Sequence, residues 1–239
     1  VFVLTIDRRA SRREQHGPSM REQRHVLQSH LPRPALDWDI NAGDELQALY
    51  DDAARVLDAV LALALTDRWH VGLGIGAVDL PLAGSVREST GPAFIAARDA
   101  VNAAKDLETP AVRGDAWAER SGAVLALLCA VRARRSAAGR EAAELADAGL
   151  TQLEIAERLG IGQSSVSRRL RAAMWQQDVE ARQALVALLE LADADSPAGH
   201  DPSGPDDTPG AAPARPGERP SEPPRAAPGL GASAAGATS

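Results

Sequence analysis

Gln163, Ser164, Ser165, Ser167, Arg168 and Arg171 surround two apolar residues, Val166 and Leu170. Val166 and Leu170 stand four residues apart, about one helical turn, so the polar set falls on the opposite, outer face of a helix. Short hydroxyl and amide side chains in the first turn of such a helix can approach base edges in a major groove. Arginines further along can reach guanine or phosphate. Types and spacing together point to double-stranded DNA as the partner. The charge of the whole chain, -7, does not oppose this. Between Arg132 and Arg171 eight arginines face five acids, so the local balance is positive where DNA would lie.

The residues around that helix supply what is needed to hold it. In Leu150–Ala172, LTQLEIAERLGIGQSSVSRRLRA, Thr151 and Glu154 have the spacing of a capping box. Ile155, Ala156 and Leu159 face inward, and small Ala156 allows a close second helix. Gly160 suits the left-handed end of the first helix, Ile161 fills the corner, and Gly162 caps the second. This segment, at residues 150–172, resembles the helix-turn-helix of bacterial regulators and of sigma-factor region 4. The resemblance implies sequence-specific DNA binding and transcription regulation.

A second set of chemistry-bearing residues is spread over the first half. Asp7 ends an apolar strand in TIDRRASR, ahead of Ser11 and Arg12. Gly43-Asp44-Glu45-Leu46-Gln47 follows a run in which Leu36, Trp38 and Ile40 alternate with polar residues. Gly72, Gly74 and Gly76 alternate with Val71, Leu73 and Ile75, and Gly91-Pro92-Ala93-Phe94 opens a helix that carries Ala97 and Arg98. Over residues 1–108 this arrangement resembles the SatD family and, more distantly, the palm of nucleotidyl cyclases and GGDEF domains. Leu46 stands where the family pattern has phenylalanine, and Ala42 precedes Gly43 where GGDEF domains have a second glycine. The resemblance implies a palm-like, ferredoxin-like α+β domain. It also implies Mg²⁺ held by Asp7 and Asp44 over a nucleotide whose phosphates meet Arg8, Arg12 and Lys105. Carboxylate oxygens suit Mg²⁺, which takes one or two of them together with phosphates and water.

The elements that must position these residues follow from periodicity. The expected order is strand Val1–Ile6, helix Ser19–Leu31, strand Leu36–Ile40, a strand or helix lead at Glu45–Tyr50, helix Asp51–Leu65, strand Trp69–Val78 and helix Gly91–Leu107. This βαββαβ order suits a small sheet with helices on one face. Helices alone follow: a long one through Trp117, Ser121, Val124, Leu128 and Val131, one at Ala137–Ala148, the two of the motif, and one from Gln176 to Ala192. The expected domains are 1–112 (palm-like), 113–192 (all-α, DNA-binding) and 193–239 (a disordered tail rich in proline, alanine and glycine). The tail holds ten of the 16 prolines and a single large aliphatic, Leu230, too little apolar surface to offset chain entropy.

Several classes are excluded. Cys129 is the only cysteine, so no disulfide framework exists, and its apolar helical surroundings make it an inert core thiol. His16, His25 and His30 lack metal-ligand spacing and read as surface residues. No apolar stretch is long enough to span a membrane, and the first residues do not read as a leader, so the expectation is a cytoplasmic protein. Two functions remain. One is a transcriptional regulator whose N-terminal module senses a ligand or forms a homodimer. The other is a Mg²⁺-dependent nucleotidyl-transfer enzyme with an accessory DNA reader.

Overall fold

A computed structural model of the chain describes residues 1–9 and 18–196. Strand β1 (Phe2–Arg8) lies at the centre of a five-stranded sheet with β2 (Leu36–Ala42), β3 (Glu45–Tyr50), β4 (Trp69–Ile75) and β5 (Ala111–Arg113), in the order β2-β3-β1-β4-β5. Neighbours in the order β2-β3-β1-β4 are antiparallel, and β5 runs parallel to β4. The residues of Glu45–Tyr50 form a strand rather than a helix lead. Their partner is β1, with Leu4 opposite Ala48 and Asp7 opposite Glu45. Strand β5 escaped the sequence reading because three residues cannot display a period of two.

Helix α1 (Met20–His30) joins β1 to β2, α2 (Ala53–Ala64) joins β3 to β4, and α3 (Pro92–Leu107) joins β4 to β5. Each start has a chemical cause. Ser19 and Glu22 form a capping box at α1, Asp52 accepts from the Arg55 amide at α2, and Pro92 occupies the first turn of α3. At the sheet edge, Asp37 and Asp39 accept from the amides of Trp38 and Ile40, each at 2.8 Å. These side chains occupy backbone donors that would otherwise invite another strand.

Both faces of the sheet are covered, which corrects the expectation of helices on one face. Phe2, Leu4, Ile6, Val71, Leu73 and Ile75 point to one side and share a core with α1 and α2. Val3 and Leu49 point to the other, where they meet Ala93 and Ala97 of α3. The reason lies in the glycine face of β4. A methyl on Gly72 would sit 2.6 Å from the Val101 Cα, and one on Gly74 2.7 Å from the Ala97 Cα. With no Cβ there, the alanine-rich helix rests directly on the strand. Gly74→Ala should therefore cost about 1–3 kcal/mol by overpacking. Urea unfolding checks this, with Gly84→Ala, where a methyl meets nothing within 4 Å, as the control.

The remaining helices are α4 (Ala116–Ala133), α5 (Ala137–Asp147), α6 (Gln152–Leu159), α7 (Gln163–Ala172) and α8 (Trp175–Asp195). The apolar core runs straight through residue 112. Val112, Leu125 and Leu128 of the β5–α4 stretch and Leu185 and Leu189 of α8 belong to the same cluster as Leu4 and Leu73. Helices α5, α6 and α7 have a separate core. No helix among the described residues is long and apolar enough to cross a membrane. The tail expected at 193–239 lies almost wholly outside the described residues; only its first four, which end and follow α8, are inside.

Candidate nucleic-acid interface

Helices α5, α6 and α7 enclose Ala142, Ile155, Ala156, Val166 and Leu170, with Leu159, Ile161 and Trp175 packed around them. Thr151 starts α6: its hydroxyl accepts from the Glu154 amide, and the Glu154 carboxylate accepts from the Thr151 amide at 2.8 Å. Bonds donated by the Thr151 amide and hydroxyl pull the Glu154 carboxyl below its ordinary pKa. Gly160 ends α6 at φ 64°, a left-handed geometry that side chains disfavour. The chain then turns through Ile161, whose amide bonds back to the Ala156 carbonyl at 3.0 Å. Helix α7 follows with Gly162 at its N-cap and no side-chain cap.

Val166 and Leu170 of α7 are buried, which fixes the rotation of the helix. Gln163, Ser164, Arg168 and Arg171 are exposed, and Ser165 and Ser167 are half-buried. Ser164, Arg168 and Arg171 follow an i, i+4, i+7 spacing and so form one stripe. Arg168 donates to the Ser165 hydroxyl at 3.1 Å. Arg169 turns away toward Glu141 of α5, 3.4 Å distant, and serves packing of the module. No strand follows α7 among the described residues, because α8 begins at Trp175.

One cluster that joins this module to the sheet-bearing part was not read from the sequence. Asp178 of α8 is fully buried and accepts from Arg132 of α4 at 2.6 and 2.7 Å. Arg135 lies 2.9 Å and Arg182 3.0 Å from the same carboxylate. Arg135 also donates to the Ala173 carbonyl at the end of α7, and Arg182 to Asp147 at the end of α5. Burial pushes the Asp178 carboxyl up, but the bond from Arg132 and the three positive charges outweigh it and hold its pKa below the ordinary value. The spacings Arg132/Arg135 and Asp178/Arg182 are visible in the sequence. They gave no signal because charges on helices normally face water.

The first-half candidates converge only in part. Asp7 faces α3, and its carboxylate is ion-paired with the Lys105 ammonium. Glu45, opposite Asp7 in the ladder, accepts from Asn41 at 2.8 Å and has Arg98 3.7 Å away. Asp44 sits in the β2–β3 turn, next to that pair in sequence. Among the described residues no group of three or more His, Cys, Asp or Glu could hold a metal. Mg²⁺ at Asp7 would compete with the Lys105 ammonium for the carboxylate. Arg8 donates to the Pro18 carbonyl, and Arg12 lies outside the described residues. His70, opposite Asp7 on β4, is lowered in pKa by burial and by Arg9. Burial pushes the Cys129 thiol up to about 11. Alkylation at pH 8 should be roughly two orders of magnitude slower in the native protein than in urea, read by mass spectrometry.

Two helices joined by a tight turn over a shared core, the second with an outward polar face, form a helix-turn-helix. Residues 145–174 match the family model described as winged helix-turn-helix DNA-binding. The match takes in the end of α5, all of α6 and α7, and the turn into α8, and the likeness is of this module alone. No curated protein and no solved structure matched the chain.

Proposed function

We propose that the protein is a sequence-specific transcriptional regulator that reads double-stranded DNA with α7. The observation that carries this reading is the exposed stripe of Ser164, Arg168 and Arg171 on a helix whose rotation is fixed by Val166 and Leu170. Gln163, Ser164, Ser165 and Ser167 contact base edges, and Arg168 and Arg171 contact guanine or phosphate. The uncapped start of α7 adds amide donors toward the DNA backbone. The first 112 residues form the accompanying palm-like module, a sensor or dimerisation platform. The antiparallel order β2-β3-β1-β4 and its βαββαβ connectivity support that reading. The regulator works in the cytoplasm, where bacterial DNA is reached.

The test is selection of bound duplexes from a random pool, followed by footprinting. A defined motif protected by the protein supports the reading. A palindromic motif with half-sites about 34 Å apart adds the homodimer. Recovery of no motif, with only salt-sensitive unspecific binding, would overturn it.

A further inference from the structure

Helix α4 packs against β5, an edge strand of the sheet, and against α8. Gly122 lies so near β5 that a methyl there would sit 3.3 Å from the Val112 Cβ, and Arg132 reaches Asp178 of α8. These contacts bury Ala118, Ser121, Leu125, Leu128 and Arg132. The opposite face is open to solvent. From Ala123 to Ala133 every exposed position is alanine or leucine: Ala123, Leu127, Ala130 and Ala133. Leu127, at the middle of the stripe, is 66% exposed. The outer face of a helix ordinarily carries charges, and a helix that is apolar on all sides belongs in a buried position. Here the charges stand only at the two ends of the face. Glu119 lies in the first turn, with more than half of its side chain exposed although Arg113 is 3.4 Å away, and Arg134 follows the last turn, also exposed. This arrangement selects the occupant. A second copy of α4, laid antiparallel about a two-fold axis near Leu127, brings Glu119 toward the partner's Arg134 at both ends, alanine against alanine, and Leu127 onto its own copy. A parallel copy would set Arg134 against itself and align the two helix dipoles unfavourably.

We propose that the exposed face of α4 is a homodimer seam, on which two copies of the chain pack antiparallel around Leu127. The seam lies outside the first 112 residues and outside the α7 face, and it holds whether or not α7 reads DNA. An 18-residue helix is about 27 Å long, and one face of it covers less than the roughly 800 Å² per partner of a stable dimer. The dimer is therefore a weak one, with a Kd on the order of 10–100 μM.

Sedimentation of the full chain over a range of concentrations tests this. The wild type should pass from monomer to dimer between about 5 and 500 μM. Leu127→Glu sets two carboxylates against each other at the axis and should weaken the dimer by about 100-fold or more. Glu119→Arg and Arg134→Glu should each weaken it by about three- to ten-fold, and the double variant carrying both changes should recover the wild-type affinity. That recovery is the readout of antiparallel pairing, since a parallel pair gives no exchange between positions 119 and 134. All these positions are exposed, and circular dichroism checks that each variant is folded. A wild type that stays monomeric to about 500 μM overturns the proposal and leaves the face to another occupant. A dimer that Leu127→Glu does not weaken overturns it as well, and places self-association elsewhere, with the first 112 residues. Failure of the charge exchange to restore the dimer overturns the antiparallel seam. The monomeric Leu127→Glu protein should still shift a duplex carrying a single half-site, so loss of the dimer and loss of DNA reading by α7 are measured independently.

Discussion

Replacing Asp178 with alanine should destabilise the protein by about 3–5 kcal/mol, because it strands Arg132 and Arg135 in a buried site without a counter-charge. The cost exceeds that of an ordinary surface ion pair, since water cannot replace the lost carboxylate. Asp178→Asn keeps the shape and removes only the charge, so it should be damaging too, but less so. A double replacement of Asp178 and Arg132 by methionine should cost less than the sum of the single variants, because it removes the charge and its partner together. Urea titrations of the wild type, the two Asp178 variants, the double variant and the single Asp178→Met and Arg132→Met variants check this. The same cluster sets a pH dependence. The native pKa of Asp178 lies below its unfolded value, so its contribution is present above about pH 3.9 and is lost as pH falls through the native value. Asp58 on the facing helix α2 is raised by burial and runs the other way: its cost disappears as it becomes protonated. Melting temperatures measured from pH 7 to pH 2 should fall steeply only in the acid range, and less steeply in Asp178→Asn. An Asp178→Ala protein with unchanged stability would show that the cluster does not hold the module to the rest of the chain.

The second large effect is on DNA. Removing both Arg168 and Arg171 should leave the fold intact, since neither contributes to the α5–α7 core. A bidentate contact from Arg168 to guanine is worth about 1–3 kcal/mol, so the single Arg168→Ala change should weaken binding to the selected site and relax its preference at one base pair. If both arginines meet phosphate, binding should fall equally on all sequences, and the salt slope should flatten by about two units. Mobility shifts at two salt concentrations distinguish these outcomes. Val166→Asp is the contrasting change: it places a charge in the module's core and should unfold it. Unchanged affinity in a folded Arg168→Ala, Arg171→Ala protein would remove α7 as the reader.

The helix-turn-helix was legible in the sequence because all its determinants are local. Thr151, Glu154, Gly160, Val166 and Leu170 lie within 20 residues, and each acts through a turn of helix or a cap that spacing alone reveals. Strands β2 and β4 were legible because their side chains alternate with a period of two, and β1 because it is a short apolar, β-branched run. The contacts between distant elements were not legible. The placement of α3 on the second face of the sheet depends on backbone fitting against Gly72 and Gly74, and glycine in a strand permits that approach without specifying it. The joining of α4 and α8 to the sheet's core was hidden by the mixed character of those helices, which looked like members of a separate helical domain. The Asp178 cluster draws on residues 46 positions apart. The chain carries 26 basic residues, and only the tertiary structure decides which three of them a buried carboxylate meets. A helix cap is a property of neighbours along the chain, whereas charge pairing and close packing are properties of neighbours in space.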